Sequence, residues 1–251
     1  AGTGRPGPVL IDLPKDVTMG EVDEASSPPP AISLRGYQPT YEGHVRQIDK
    51  ALDLIAEAER PLVYAGGGVI LSGASAELRE FIETAAIPVT TTLMGLGAIP
   101  GDHPLNLGML GMHGTAAANF AVTECDLLVA IGVRFDDRVT GKIEAFAPNA
   151  RIIHIDIDPA EIGKNKKVDV PIVGDVGRVL RAMLARMKKR GDTANWVNRA
   201  AAWKAQFPPA YRDDDRLRPQ YIIQQLSDLM KGEGIIVSEV GQNQMWTALY
   251  Y

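Results

Sequence analysis

Between residues 43 and 190, short apolar runs alternate with segments whose apolar residues recur at helical spacing, and no other feature restricts the fold as strongly. The runs are 61–65 (PLVYA), 87–92 (IPVTTT), 127–131 (LLVAI), 151–157 (RIIHIDI) and 170–173 (VPIV). Between them, Val45, Ile48, Leu52 and Ile55 mark one helix face, and Leu78, Phe81, Ile82 and Ala85 mark another. A third helix starts near Thr115, and a fourth, capped by Asp175, carries Val179, Leu180, Met183, Leu184 and Met187. Strands that alternate with helices specify a parallel sheet covered on both faces, an α/β doubly wound domain over about 43–190. Two more helices follow, the first with Trp196, Ala200, Trp203 and Phe207 on one packing face, the second over 219–230 ahead of a strand at 235–240.

In a sheet of this kind ligands sit beyond the carboxyl ends of the strands, near helix N-termini where unpaired N–H groups favour anions. The stretch 108–141 (GMLGMHGTAAANFAVTECDLLVAIGVRFDDRVTG) has that organisation: a glycine-rich loop, a helix, a strand and a charged loop. Gly111, Gly114 and Gly132 are expected where backbone approaches a ligand. Arg134 and Arg138 can bind phosphate or carboxylate through forked hydrogen bonds. Gly66, Gly67 and Gly68 read as a tight turn or a binding loop, without the spacing of a dinucleotide fingerprint. The Gly- and Pro-rich segment 93–111 reads as a long functional loop. Asp156 ends a strand, where an acidic residue accepts ribose hydroxyls, and Asp158 before Pro159 suits a helix cap.

A net charge of -5 gives no electrostatic footprint for nucleic acid, and the small run Arg186, Lys188, Lys189, Arg190 reads as a solvated helix end. The single cysteine, Cys125, excludes an internal disulfide and reads as a buried, inert thiol. His154 alternates within an apolar strand as a core residue, while His44 and His103 read as surface or loop groups. No apolar run has membrane-spanning length and no signal peptide is visible. Residues 8–14 (PVLIDLP) read as a strand, and the SSPPP-containing segment after it as a linker. A start at Ala1 and a stop at Tyr251, inside a helical pattern, read as an internal piece of a longer polypeptide.

GRPGPVLIDLPKDV, ERPLVYAGGG, TTLMGLGAIPGDHP, GMHGT, RFDDRVTG, HIDIDPAEIGKNK and SEVGQNQMW occur in this order. With this spacing the chain resembles the catalytic subunits of the acetohydroxyacid synthase (acetolactate synthase) family, thiamine-diphosphate-dependent enzymes. The resemblance implies a central, Rossmann-like FAD-binding domain flanked by pieces of two thiamine-diphosphate-binding α/β domains. It divides the chain into the end of a pyrimidine-binding domain (1–22), a linker (23–42), the FAD domain (43–190), connecting helices (191–234) and the start of a diphosphate-binding domain (235–251).

It also implies FAD contacts from Arg5, from Gly66, Gly67 and Gly68, and from Thr91, Thr92 and Leu93. Met112, His113 and Gly114, then Gly132, Arg134, Asp136, Arg138 and Val139, fall on cofactor loops. Asp156, Ile157, Glu161 and Asn165, with Gly174, Asp175 and Val176, fall at the adenosine end. Arg138 is the candidate for the second substrate's carboxylate, with Lys15 and Asp137 at the channel mouth; pairing of Asp137 with Arg138 is the structural alternative. Gln242 and Asn243 open the thiamine diphosphate site, Asn243 standing where the family usually has His, and the Mg²⁺ ligands lie outside the chain.

The implied reaction condenses two pyruvates to 2-acetolactate and CO₂, or pyruvate with 2-ketobutyrate, at the first common step of branched-chain amino acid biosynthesis. Thiamine diphosphate is the electron sink and FAD does no net redox work. A homodimer or homotetramer with a separate regulatory subunit is implied, in the cytoplasm or, behind a transit peptide, in a plastid. The alternatives are another thiamine-dependent carboligase, oxidase or acyl-CoA decarboxylase, or a non-catalytic nucleotide-binding module.

Overall fold

The strands at 61–65, 127–131 and 170–173 form where the apolar runs place them, in a computed structural model that describes residues 1–21, 34–187, 192–212 and 214–251. In chain order the elements are α1 (Lys15–Thr18), α2 (Val45–Glu57), β1 (Pro61–Ala65), α3 (Gly67–Leu71), α4 (Ser75–Ala85), β2 (Val89–Thr91) and β3 (Asn106–Met109). They continue with α5 (Ala116–Glu124), β4 (Leu127–Ile131), α6 (Asp137–Thr140), β5 (Arg151–Asp156), β6 (Val170–Val173) and α7 (Val176–Leu184). Three helices close the chain: α8 (Ala194–Gln206), α9 (Pro219–Met230) and α10 (Gln242–Tyr250).

The strands form one parallel sheet in the order β3-β2-β1-β4-β5-β6, so the doubly wound α/β expectation holds. Alternation along each strand sends side chains to two cores. Val63, Val129, Ile131, Ile153 and Ile155 meet α2, α4 and α7 on one face. Leu62, Tyr64, Leu128, Ala130 and Ile152 meet α5 and α8 on the other. Each fully buried aliphatic side chain gains about 1.5–3 kcal/mol from leaving water, most of it offset by ordering. Trp196 is buried in the second core and donates from Nε1 to the Pro61 carbonyl at 2.9 Å, which fixes α8 to the sheet. Cys125 is fully buried there, and burial pushes its thiol up to about 12.

Strand order reverses between β1 and β4, whose following connections run to opposite sides, toward β2 and toward β5, and this opens a crevice at the carboxyl ends. Thr115 caps α5, its Oγ1 accepting the Ala118 N–H. Asp175 caps α7 in the same way through the Arg178 N–H.

Several expectations are corrected. Residues 8–14 and 235–240 are not strands; both lack regular secondary structure, with Leu10 and Ile235 more than 90% exposed, and neither has a pairing strand among the described residues. A strand needs a partner for its N–H and C=O groups, and apolar patterning alone supplies none. The 66–68 glycines are not a simple turn, since Gly66 caps and Gly67 begins α3. The 87–92 strand shortens to β2, and the expected loop 93–111 contains a 3-10 turn (Leu93–Gly95) and β3. Asp158 caps a turn through the Ala160 N–H and no helix follows it. Most of the expected linker, with SSPPP, falls within 22–33, outside the described residues, as do Lys188, Lys189 and Arg190. Arg186 pairs with Asp49.

Candidate functional site

A cavity of about 650 Å³ opens beyond the carboxyl ends of β1, β4 and β5. Its floor is set by a crossing of two backbones. The Gly66 N–H donates to the Ile131 carbonyl at 2.9 Å and the Gly68 N–H to the Gly132 carbonyl at 3.2 Å. A Cβ on Gly68 would lie 2.6 Å from Gly132 Cα, and one on Gly66 2.3 Å from Gly132 O. Here glycine is required by chain against chain. The same holds for Gly114, whose Cβ would lie 2.3 Å from Met109 O, and for Gly111, at φ 111° and packed on Val139.

The loop after β4 forms one wall and contributes residues 132–139. Phe135 sits at φ 52°, a conformation that non-glycine residues seldom adopt. Its ring is buried against Tyr64, Phe146 and His154. Arg134 pairs with Asp136 at 2.9 Å, both about half exposed, an arrangement that contributes little to stability. The Asp137 carboxylate accepts the backbone N–H of Arg138, not its guanidinium. Among the described residues the exposed Arg138 side chain makes no ion pair, so the alternative of an Asp137–Arg138 pair is not what forms.

The end of β5 supplies acids. Asp156 is buried and Oδ1 accepts the Asp158 N–H at 2.9 Å. Burial raises its carboxyl above the ordinary range, partly offset by that bond. Glu161 is also buried, which would raise its carboxyl, but hydrogen bonds from Arg5 at 2.7 Å and Lys164 at 3.2 Å outweigh burial and hold it below the ordinary range. Arg5 also reaches Asp158 at 3.1 Å, so residues 2–6 close over this side of the cavity. Ser72 and Asp175 tie α3 to α7: Ser72 Oγ donates to Asp175 Oδ2 at 2.7 Å and accepts the Gly177 N–H at 3.0 Å.

Of the residues singled out in the sequence, the cavity brings together Arg5, Gly67, Gly68, Thr92, Leu93, Gly132, Arg134, Asp136, Asp137, Arg138, Val139, Asp156, Ile157, Glu161, Asp175 and Val176. Gly66 and Gly174 lie behind the lining as backbone packing, and Thr91 is buried with Oγ1 unpartnered. Met112, His113 and Gly114 stand at the edge, joined to the wall by the Met112 N–H and the Arg138 carbonyl at 3.4 Å. Asn165 does not line the cavity; its amide holds the wall from behind. Lys15 on α1 is exposed and elsewhere, and Gln242 and Asn243 open α10, which packs on α9. Sequence reasoning missed Tyr41, Tyr64, Leu71, Ser72, Met94 and Phe135, which also line it. Phe135, Tyr64 and Met94 were within reach, lying inside the RFDDRVTG, ERPLVYAGGG and TTLMGLGAIPGDHP motifs; Tyr41, Leu71 and Ser72 are read only from contacts.

A second cavity of about 690 Å³ lies at the opposite ends of the strands, lined by α2, residues 84–86 and the start of α8, without the glycines or arginines of the first. Among the described residues no group of three metal-ligating side chains converges, and no helix is long and apolar enough to cross a membrane.

Residues 48–183 match the family model described as thiamine pyrophosphate enzyme, central domain. The chain is 55% identical over 261 aligned residues to a probable acetolactate synthase large subunit of Methanocaldococcus jannaschii, covering 100% of the chain and 44% of that protein. It is 51% identical to the acetolactate synthase large subunit of Corynebacterium glutamicum, covering 99% and 40%, and 50% identical to a protein of Zea mays named acetolactate synthase 1, chloroplastic, covering 100% and 40%. The chain thus spans less than half the length of the curated relatives it matches.

Proposed function

This chain belongs to the thiamine pyrophosphate enzyme family, through its central domain, and from that premise we propose that it is the nucleotide-binding part of an acetolactate synthase large subunit. The whole enzyme condenses pyruvate with a second 2-ketoacid and releases CO₂, forming 2-acetolactate or 2-aceto-2-hydroxybutyrate for branched-chain amino acid biosynthesis. The observation that carries the reading is the donor set of the cavity at the β1/β4 reversal: two arginines on one loop and a buried carboxylate at the next strand end.

That set suits FAD. Arg134 offers a forked donor to a diphosphate, and Arg138 flanks the flavin beside it. Asp156, desolvated and with one oxygen committed to Asp158, gains from accepting ribose hydroxyls. Gly67, Gly68 and Gly132 keep side chains out of the floor, and the volume lies within the range of cofactor sites. Bound there, FAD supplies architecture and no net electron transfer, while thiamine diphosphate with Mg²⁺, held outside this domain, supplies the electron sink.

The chain's own part in catalysis is to orient. Arg138, exposed and without an ion pair among the described residues, lines the cavity as the group for the second ketoacid's carboxylate. The residues 2–6, latched by Arg5 to Glu161, exclude water from the adenosine side. The relatives' naming as large subunits supports a separate regulatory subunit; a homodimer or homotetramer of the large subunit is part of the proposal, as is a compartment that follows the source, cytoplasm or plastid.

The test uses the complete gene product. Stoichiometric flavin absorbance, FAD released on heating, and 2-acetolactate formed from pyruvate with thiamine diphosphate and Mg²⁺ are the expected results. A colourless protein that releases ADP, or one that is flavin-loaded but forms no acetolactate, refutes the assignment.

A further inference from the structure

Three successive carbonyls in the wall after β4 are held by side chains from β5 and the turn that follows it. His154 Nε2 donates to Val133 O at 2.8 Å. Asn165 Nδ2 donates to Arg134 O at 3.0 Å and to Phe135 O at 3.2 Å. Carbonyl oxygens only accept, so the Asn165 amide nitrogen must face them and the His154 proton must sit on Nε2. Burial lowers the pKa of His154, and its Nδ1 has no partner, both of which suit the neutral ring. Among the described residues, none of the three carbonyls accepts a backbone N–H.

This stretch includes Phe135 at φ 52° and immediately precedes α6, which carries Asp137 and Arg138. Left to itself, such a backbone relaxes toward commoner dihedrals and rotates its neighbours. We propose that Asn165 and His154 are positioning residues, a two-point clamp that fixes the 133–135 backbone so that Arg134, Asp136 and Arg138 face the cavity. The clamp also joins the arginine-bearing wall to the acid-bearing strand, because His154 precedes Asp156 by two residues on β5. The inference rests on the dinucleotide reading only for the ligand that the arginines meet. The clamp itself is a property of the ligand-free chain.

Phe135 packs against three rings and could anchor the loop by burial alone. Asn165 separates the two explanations, since it is exposed and adds nothing to that packing. Asn165→Asp keeps the shape and replaces the donor with an acceptor facing two carbonyls, and Asn165→Ala removes the group. Lys167→Ala, an exposed change in the same turn, is the control.

The experiment is amide hydrogen exchange, read by mass spectrometry on the ligand-free complete gene product, with FAD titration alongside. Both Asn165 variants should exchange about tenfold faster over residues 132–141, with the thermal midpoint unmoved, and should bind FAD about tenfold more weakly, the effect of losing one to two hydrogen bonds. Lys167→Ala should match the unsubstituted protein in both. Unchanged exchange at 132–141, or faster exchange spread through the sheet with a lowered midpoint, overturns the clamp. Failure of the unsubstituted protein to bind FAD would instead count against the proposed function, and the exchange result would still decide the clamp.

Discussion

Replacing Gly132 with alanine tests whether the cavity floor depends on two backbones in contact. Gly132 has φ 60°, and its Cβ would lie 2.6 Å from Gly68 Cα and 3.0 Å from Gly68 N. Gly73 is the matched control: it has φ 63°, and a Cβ there meets nothing within 4 Å. Both alanine variants incur the left-handed penalty of about 1–2 kcal/mol. Only Gly132→Ala adds overpacking, about 1–3 kcal/mol, because neither backbone can yield as a flexible side chain would. The difference corresponds to about 2–12 °C in thermal midpoint for a domain of this size. Differential scanning calorimetry of the two variants, with FAD affinity measured in parallel, should show Gly132→Ala the less stable and the weaker binder. Equal midpoints would refute the contact argument and leave the dihedral as the whole effect.

Arg138→Ala should lower kcat/KM of the complete enzyme about ten- to a hundredfold, as for loss of a charge-assisted bond, while stability stays within about 0.5 kcal/mol because the side chain is exposed and has no ion pair among the described residues. Steady-state kinetics beside urea denaturation checks this, and unchanged kinetics removes Arg138 from the substrate path. The Arg5–Glu161 latch should be pH-dependent in a stated direction. The Glu161 carboxyl lies below the ordinary range in the folded chain, so its contribution is complete above the unfolded carboxylate value of about 4.3 and is lost as pH falls through the folded value. Protection of the amides over residues 1–7, taken relative to their intrinsic exchange rate at each pH, should therefore fall below about pH 4. Arg5→Ala should show the fast exchange already at neutral pH, and a pH-independent arm would refute the latch.

Strands and helices with local punctuation were legible from the sequence. LLVAI follows Asp126 and stops at Gly132, PLVYA stops at Gly66, and α9 opens on Pro219; each element has those bounds. β3 was not legible. Its residues NLGM are partly polar, Gly108 is at φ 87°, and the pairing with β2 shifts register. It forms because β2 is already there and Thr90 Oγ1 donates to the Gly108 carbonyl at 2.8 Å. The opposite error occurred at 8–14 and 235–240, where strand-like composition meets no partner strand among the described residues.

At the site, the glycines, the arginines and the acid at the end of β5 announced themselves, because few chemistries need those residue types at strand ends. Which of them meet each other did not. Arg134 is paired with Asp136 while Arg138 has no ion pair among the described residues, and Gly132 serves Gly68 as much as any ligand. Asn165, expected at the adenosine end, holds carbonyls 30 and 31 residues away. The sequence by itself determined the alternation of elements, hence the parallel sheet and the end at which ligands gather, because those follow from period and punctuation within a few residues. Only the tertiary structure decided which charges are free, which backbones touch and what holds the strained loop, because hydrogen bonds and close contacts act over a few ångströms between segments distant in the chain.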